Sequence, residues 1–342
     1  MLKKIISSVE GVSNDLVTNG RAYPEINRIN NRITMQTAKD FLYMHGYITY
    51  AEWQDPECSY SVIVWGLYSA FCDGVLSLNC KKQDGVVNLT PVRVSSGLSG
   101  KLDGVLAVTT VSLANRFCLA RMKNNDLVCS KCYVPESLRI DGILAYAQNM
   151  YVLTHFDLSE RPDWIPVLKV QWAKDRLKKK LITARAKGKI DISDNEIERL
   201  YNARPLCRFE SLGDLACTLQ AKNYLTIAYQ NPDFDIALWT KNPAVLAAAI
   251  DENGRPLNLS TVLSMSRKNV MDNPDFIARY RKYFTHAFVV VDNDGARDGY
   301  LNQTGFYSCH CGHFSCIRCR HCYEIVMDFD TAVERLRDKK LK

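Results

Sequence analysis

Over most of its length the chain alternates short runs of β-branched and aliphatic residues with longer stretches whose apolar positions recur at helical spacing. Strand-type runs occupy residues 105–113, 206–210, 235–240, 259–264 and 287–292, and helical spacing marks 37–44, 136–153, 167–184 and 212–229. Ser193, Asp194, Asn195 and Glu196 form a capping-box signature, hydroxyl and carboxylate placed to satisfy the first amides of a helix running through Leu200. Strand-then-helix alternation of this kind predicts an α/β fold with a mainly parallel sheet, open or closed into a partial barrel. Ligands in such folds gather at the carboxyl ends of the strands. The residues that fall there are Asn115; then Glu210, Ser211, Gly213 and Asp214; then Thr240, Lys241 and Asn242; then Ser264 and Ser266; and Asp292 after the last run.

The texture changes near Ser95, where serines and glycines cluster before the first strand-type run. This divides the chain into an N-terminal extension or subdomain (1–95), an α/β core (96–300) and a cysteine-rich metal-binding segment with a terminal helix (301–342). The most apolar stretch, residues 60–71, is about a dozen residues long, short of the roughly 20 needed to span a bilayer, and reads as a buried helix or strand. The basic and apolar start is broken by Ser7, Ser8 and Glu10 too early for an export signal, so a cytoplasmic location without membrane contact is expected.

Charge and cysteine usage sharpen this picture. The chain is 342 residues long with a net charge of +7, and residues 174–189 carry eight basic side chains against one acid, equal to the whole excess. A solvated helix face and a phosphate-contacting surface for DNA or RNA are both open, the latter resting on Lys178, Lys179, Lys180 and Arg185. Five of the thirteen cysteines, Cys309, Cys311, Cys316, Cys319 and Cys322, fall within fourteen residues, interleaved with His310, His313, His321, Arg318 and Arg320. Thiols at two-residue separations turn back onto one ion or cluster, and this set exceeds the four ligands of a structural zinc. The triple spacing of Cys316, Cys319 and Cys322 also suits an iron–sulfur cubane, so zinc and iron both stay open. Arg318 and Arg320 could offset thiolate charge or meet nucleic-acid phosphate. Mid-chain, Cys129 and Cys132 make a Cys-x-x-Cys step with Cys118 upstream, either its own metal site or a partner for the surplus C-terminal thiols.

The succession Val128-Cys-Ser-Lys-Cys-Tyr133, Arg208-Phe-Glu-Ser-Leu-Gly-Asp214, Ala237-Leu-Trp-Thr-Lys-Asn-Pro243 and Cys319-Arg-His-Cys-Tyr323 resembles the gene product 88 family of mycobacteriophages and other mobile elements. The resemblance covers about residues 92–323 and implies the cytoplasm of a bacterial host. More distantly, the layout is similar to radical S-adenosylmethionine enzymes, whose first barrel strand leads into a cysteine triple and whose second ends in a step that holds the methionine amine. That likeness implies an iron–sulfur cluster on Cys129 and Cys132, with Cys118 replacing the third cysteine that Asn125 displaces. It also implies a cofactor site at Gly213, Asp214 and Ser264, with S-adenosylmethionine as the cofactor.

Two functions follow as expectations. One is an iron–sulfur α/β enzyme acting on a nucleotide or nucleic acid; the other is a zinc-stabilised DNA- or RNA-binding protein without catalysis. The oligomeric state is open.

Overall fold

The computed structural model describes residues 17–18, 34–80, 82–123, 129, 132, 134, 140–266, 274–291, 302, 306–309, 313–325 and 330–335. Seven strands form one sheet: β1 (Leu106–Val108), β2 (Leu206–Phe209), β3 (Asp235–Thr240), β4 (Leu259–Ser266), β5 (His286–Val291), β6 (Phe306–Ser308) and β7 (Asp330–Arg335). They lie in the order β1-β2-β3-β4-β5-β7-β6, and every pairing is parallel. The expected parallel α/β sheet is therefore present, and it is open among the described residues, with β1 and β6 as its edges.

The helices are α1 (Met35–Met44), α2 (Tyr50–Gln54), α3 (Tyr60–Cys72), α4 (Arg116–Lys123), α5 (Ile140–His155), α6 (Val170–Ala186), α7 (Asp194–Asn202), α8 (Thr218–Gln230), α9 (Pro243–Asn253), α10 (Pro274–Tyr280) and α11 (Ser315–Cys319). From β1 to β5 the strands follow chain order without reversal, and α5, α8 and α9 lie on one face, as right-handed crossovers in one direction require, whereas α6 and α7, also between β1 and β2, cover the other. Period-two alternation shows the first face: Cys207, Phe209, Ile236, Leu238, Leu263, Ala287 and Val289 enter one large core with side chains of α3, α5, α8 and α9. The step from β6 back to β7 runs the other way, so a right-handed crossover there belongs on the opposite face. That crossover is the cysteine-rich segment. Phe314, Ile317 and Tyr323 join Leu206, Ala237 and the α6–α7 residues Leu177, Leu181, Ile197 and Leu200 in a separate core on the second face.

The first core also takes in residues ahead of Ser95. Phe41 and Leu42 of α1 and Ile63, Leu67 and Phe71 of α3 are buried in it, and Phe71 stacks on Tyr151 of α5 with centroids 5.9 Å apart. The apolar run at 60–71 is thus a buried helix. No described helix is long and apolar enough to cross a membrane.

Three local expectations change. The strand expected to Leu113 stops at Val108, because Ser112 N–H donates to the Leu212 carbonyl (3.1 Å) and Thr109 Oγ1 receives Leu212 N–H (3.1 Å), turning the chain out of the sheet. The capping box forms by half: Ser193 accepts Glu196 N–H at 3.2 Å, while the Glu196 carboxylate receives Arg318 instead. The terminal helix is overturned over residues 330–335, which form β7. That strand is bonded on both sides, to β5 and β6, and pairing of this kind overrides the helix preference of its Ala, Glu and Arg.

Candidate functional site

At the carboxyl end of β2 the backbone bends sharply. Glu210 takes φ of 56°, a left-handed conformation that costs a side-chain-bearing residue about 1 kcal/mol and recurs at functional sites. Its carboxylate is buried among donors: Tyr224 O–H at 2.5 Å, Gln220 N–H at 2.6 Å, Thr110 O–H at 2.9 Å and Thr110 N–H at 3.3 Å. Gln220 and Tyr224 stand one turn apart on α8, and the Tyr224 ring stacks on Phe209 with centroids 4.6 Å apart. Burial pushes the Glu210 acid up to about 8, further raised by Asp214 and opposed by the hydrogen bonds from Tyr224 and Thr110. Burial and then the charge of Glu210 raise the Tyr224 phenol in turn. Gly213 closes against this group, since a Cβ there would stand in hard contact with Glu210 Oε2 and 2.5 Å from Thr110 Oγ1.

Asp214, four residues on, bridges two strand ends. It accepts Thr240 O–H at 2.5 Å, Lys241 N–H at 3.0 Å and Leu215 N–H at 2.8 Å, and its carbonyl receives Asn115 Nδ2 at 2.7 Å. Burial raises its acid while Lys241 lowers it. Asn115 also opens α4, its Oδ1 accepting Phe117 N–H at 2.9 Å, which sets Cys118 in the first turn facing the same place. Burial first, then Asp214 and Glu210, hold the Cys118 thiol well above its ordinary range; Cys129 adds to this and Lys241 opposes it. Cys132 N–H donates to the Cys129 carbonyl (3.1 Å), a turn that keeps these two cysteines together, and the Cys132 side chain packs against the first core. The strand ends therefore bring together Cys118, Cys129, Glu210, Asp214 and Lys241. Ser264 lies half-buried on the second face of β4, apart from this group, and Asp292 lies outside the described residues.

The C-terminal cysteines gather elsewhere, on the second face. Cys309 follows the carboxyl end of β6, and Lys101 Nζ stands 3.8 Å from its sulfur and 5.8 Å from the Phe288 ring centroid. Cys322 packs with Cys309 against Val262, Phe288 and Val290, and with Cys316 against the second core. Burial holds the Cys316 thiol up to about 11, with Arg208 and Lys101 pulling it down and Cys309 and Cys319 adding to the rise. Arg208 lies over the Trp239 ring, 3.9 Å from its centroid. Phe314 and Arg320, with φ of 58° and 59°, bracket α11. Cys311 and His310 lie outside the described residues. Among the described residues no three His, Cys, Asp or Glu side chains form a closed metal-ligand set.

The cations singled out for nucleic acid mostly meet carboxylates of the same chain. Lys178 pairs with Glu198 (2.8 Å), Lys180 with Asp103 (3.1 Å), Arg185 with Asp194 (2.7 Å), Arg318 with Glu196 (2.8 Å) and Arg320 with Asp235 (2.7 Å), while Lys179 is exposed. They tie α6, α7 and the cysteine segment together. His286 is buried, with Ser260 Oγ 3.2 Å and Thr285 Oγ1 2.8 Å from its Nδ1. Sequence reading missed Thr110, Gln220 and Tyr224 as site residues. A polar pair one turn apart on a helix face that must pack against a sheet was the available signal for the last two.

No curated protein and no solved structure matches the chain. Residues 114–330, more than half of the chain and the stretch that holds the strand-end group and the described cysteines from Cys118 onward, match the gene product 88 family, and the chain belongs to that family.

Proposed function

We propose that the chain is an iron–sulfur enzyme whose cluster is held by Cys118, Cys129 and Cys132 at the carboxyl ends of the first strands. One observation carries this reading: Asn115 accepts Cys118 N–H (3.4 Å) and donates to the Asp214 carbonyl (2.7 Å), which ties the start of α4 to the strand ends, and the Cys129–Cys132 turn follows that helix. Thiols are the soft ligands that iron–sulfur clusters take, and binding a cluster would displace the proton that burial holds on Cys118. Along the chain the cysteines follow the first strand and the Gly213–Asp214 step follows the second.

A cluster bound there would supply one-electron transfer. Glu210, raised to about 8, holds or releases a proton near neutral pH, and its fixed donors from Tyr224, Gln220 and Thr110 orient it. Gly213 and Asp214 position the strand ends, because the Asp214 oxygens already accept Thr240, Lys241 and Leu215. S-adenosylmethionine is the finer cofactor proposal, and a nucleotide or nucleic acid the finer substrate proposal.

The test is anaerobic purification with iron, sulfide and visible absorbance measured on the unaltered chain and on Cys118→Ser and Cys129→Ser. A brown protein that loses its iron in both variants is expected. A colourless protein containing only zinc would sink the reading.

A further inference from the structure

We propose that Cys309, Cys316, Cys319 and Cys322 form a second and separate metal site, for a single zinc ion, that locks the β6–β7 crossover onto the second face of the sheet. The proposal stands independently of the strand-end reading. Its first support is placement. The reversal in strand order sends this crossover to the face opposite the one that carries α8 and α9, while Cys118 and Cys129 stand with the Glu210 and Asp214 carboxyl groups at the strand ends. The C-terminal thiols Cys316 and Cys322 instead pack against the core of the second face.

The second support is local conformation. Cys316 and Cys319 are one turn apart on α11, so their side chains leave the same helix face. On either side, Phe314 and Arg320 hold left-handed backbone, a conformation that persists in such residues only when the surroundings impose it. The second of these bends swings the chain into the short turn His321–Tyr323, returning Cys322 toward Cys316 and Cys309. Thiols spaced along a segment that folds back on itself in this way suit a tetrahedral centre.

The third is electrostatic. Four thiolates around a divalent ion leave a net negative charge, and Lys101 at 3.8 Å from Cys309, with Arg208 acting on Cys316, are the cations that offset it. Arg318 and Arg320 do a different job, clamping the segment to Glu196 and Asp235. The choice of ion follows from packing. Phe314, Ile317 and Tyr323 fill the space beneath the thiols at 3%, 1% and 3% exposure, which suits a single ion better than a bulky four-iron cluster. Cys319 is exposed, and no three of the four thiols form a closed ligand set in this structure, so binding has to draw the segment's side chains together around the ion.

Metal content of the full-length protein, purified with oxygen excluded, tests this on the unaltered chain, Cys316→Ser, Cys319→Ser and Cys129→Ser. About one zinc per chain is expected in the unaltered protein and in Cys129→Ser, falling by roughly tenfold in Cys319→Ser and Cys316→Ser with iron unchanged. Because Cys319 is exposed, its variant is expected to fold even if Cys316→Ser does not. Cobalt added to zinc-stripped protein is expected to give the d–d and thiolate charge-transfer bands of a tetrahedral centre, absent in Cys319→Ser. Zinc retained by Cys319→Ser, zinc lost from Cys129→Ser, or iron and sulfide lost together from Cys319→Ser would each overturn the proposal. Zinc that is lost only with Cys316 and Cys319, in a protein without iron, would support this site while refuting the strand-end cluster.

Discussion

The two thiol groups of this protein sit in opposite electrical surroundings. At the strand ends Cys118 is flanked by Glu210 and Asp214, with Lys241 as the opposing charge, whereas Cys316 on the second face is flanked by Arg208 and Lys101. The first setting is held by buried hydrogen bonds to carboxyl groups, the second by apolar packing and by ion pairs nearer the surface. Residue type alone therefore says little about a cysteine's role, because buried acids act on the thiol in one place and cations in the other. The comparison also sets expectations for damage: lesions at the strand ends cost folding energy, and lesions at the second-face clamps cost little.

The largest expected effect is that of Glu210→Ala, which strands Tyr224 O–H, Gln220 N–H and Thr110 O–H in a dry site and should lower stability by about 4 kcal/mol in chemical denaturation. Gly213→Ala drives a methyl group against Glu210 and Thr110 and should cost about 3 kcal/mol; a neutral result would mean the strand-end turn is looser than its contacts imply. Glu210→Gln separates charge from packing. An acid whose folded value rises from 4.5 to about 8 contributes stability that is complete below pH 4.5 and is lost as pH rises through about 8. The unaltered protein should therefore lose thermal stability as pH rises from about 4.5 to about 8, measured by circular dichroism, and Glu210→Gln should lose less. Arg320→Ala removes bonds to Asp235 Oδ2 (2.7 Å) and to the Arg204 carbonyl (2.9 Å) and should cost about 1 kcal/mol. Smallest is Arg318→Ala, whose half-exposed pair with Glu196 should be worth under about 1 kcal/mol. If the second-face variants proved as damaging as Glu210→Ala, the contrast between the two regions would fail.

Much of this architecture was readable before any coordinates. Strands β2 to β5 and helices α5, α6 and α8 lie within a few residues of the runs read from hydrophobic spacing, because each is long enough, or apolar enough, to declare its period. Strand β7 escaped, since Asp330-Thr-Ala-Val-Glu-Arg335 owes its conformation to two neighbouring strands that no local pattern reveals. At the site, Asp214 was legible as a strand-end residue, but its engagement by Thr240 and Lys241 depends on β3 lying beside β2. Gln220 and Tyr224, one turn apart, marked a polar spot on a packing helix face, but that the spot meets the Glu210 carboxylate depends on how α8 lies against β2. The basic run was legible as charge only; its acidic partners Asp103, Asp194 and Glu198 come from separate elements that the fold brings together.

The late insertion of β7 between β5 and β6 has a bearing on how the molecule assembles. Strand β6 leaves the ribosome before β7, its neighbour among the described strands, exists, and it joins the sheet once the cysteine-bearing crossover has been made and β7 has slotted in. Until then β5, an apolar strand, presents an edge of unpaired backbone N–H and C=O groups, and a chain stalled at that stage is open to pairing with another copy of itself. Whatever speeds the closing of the crossover thus shortens the interval in which the nascent protein is prone to aggregate.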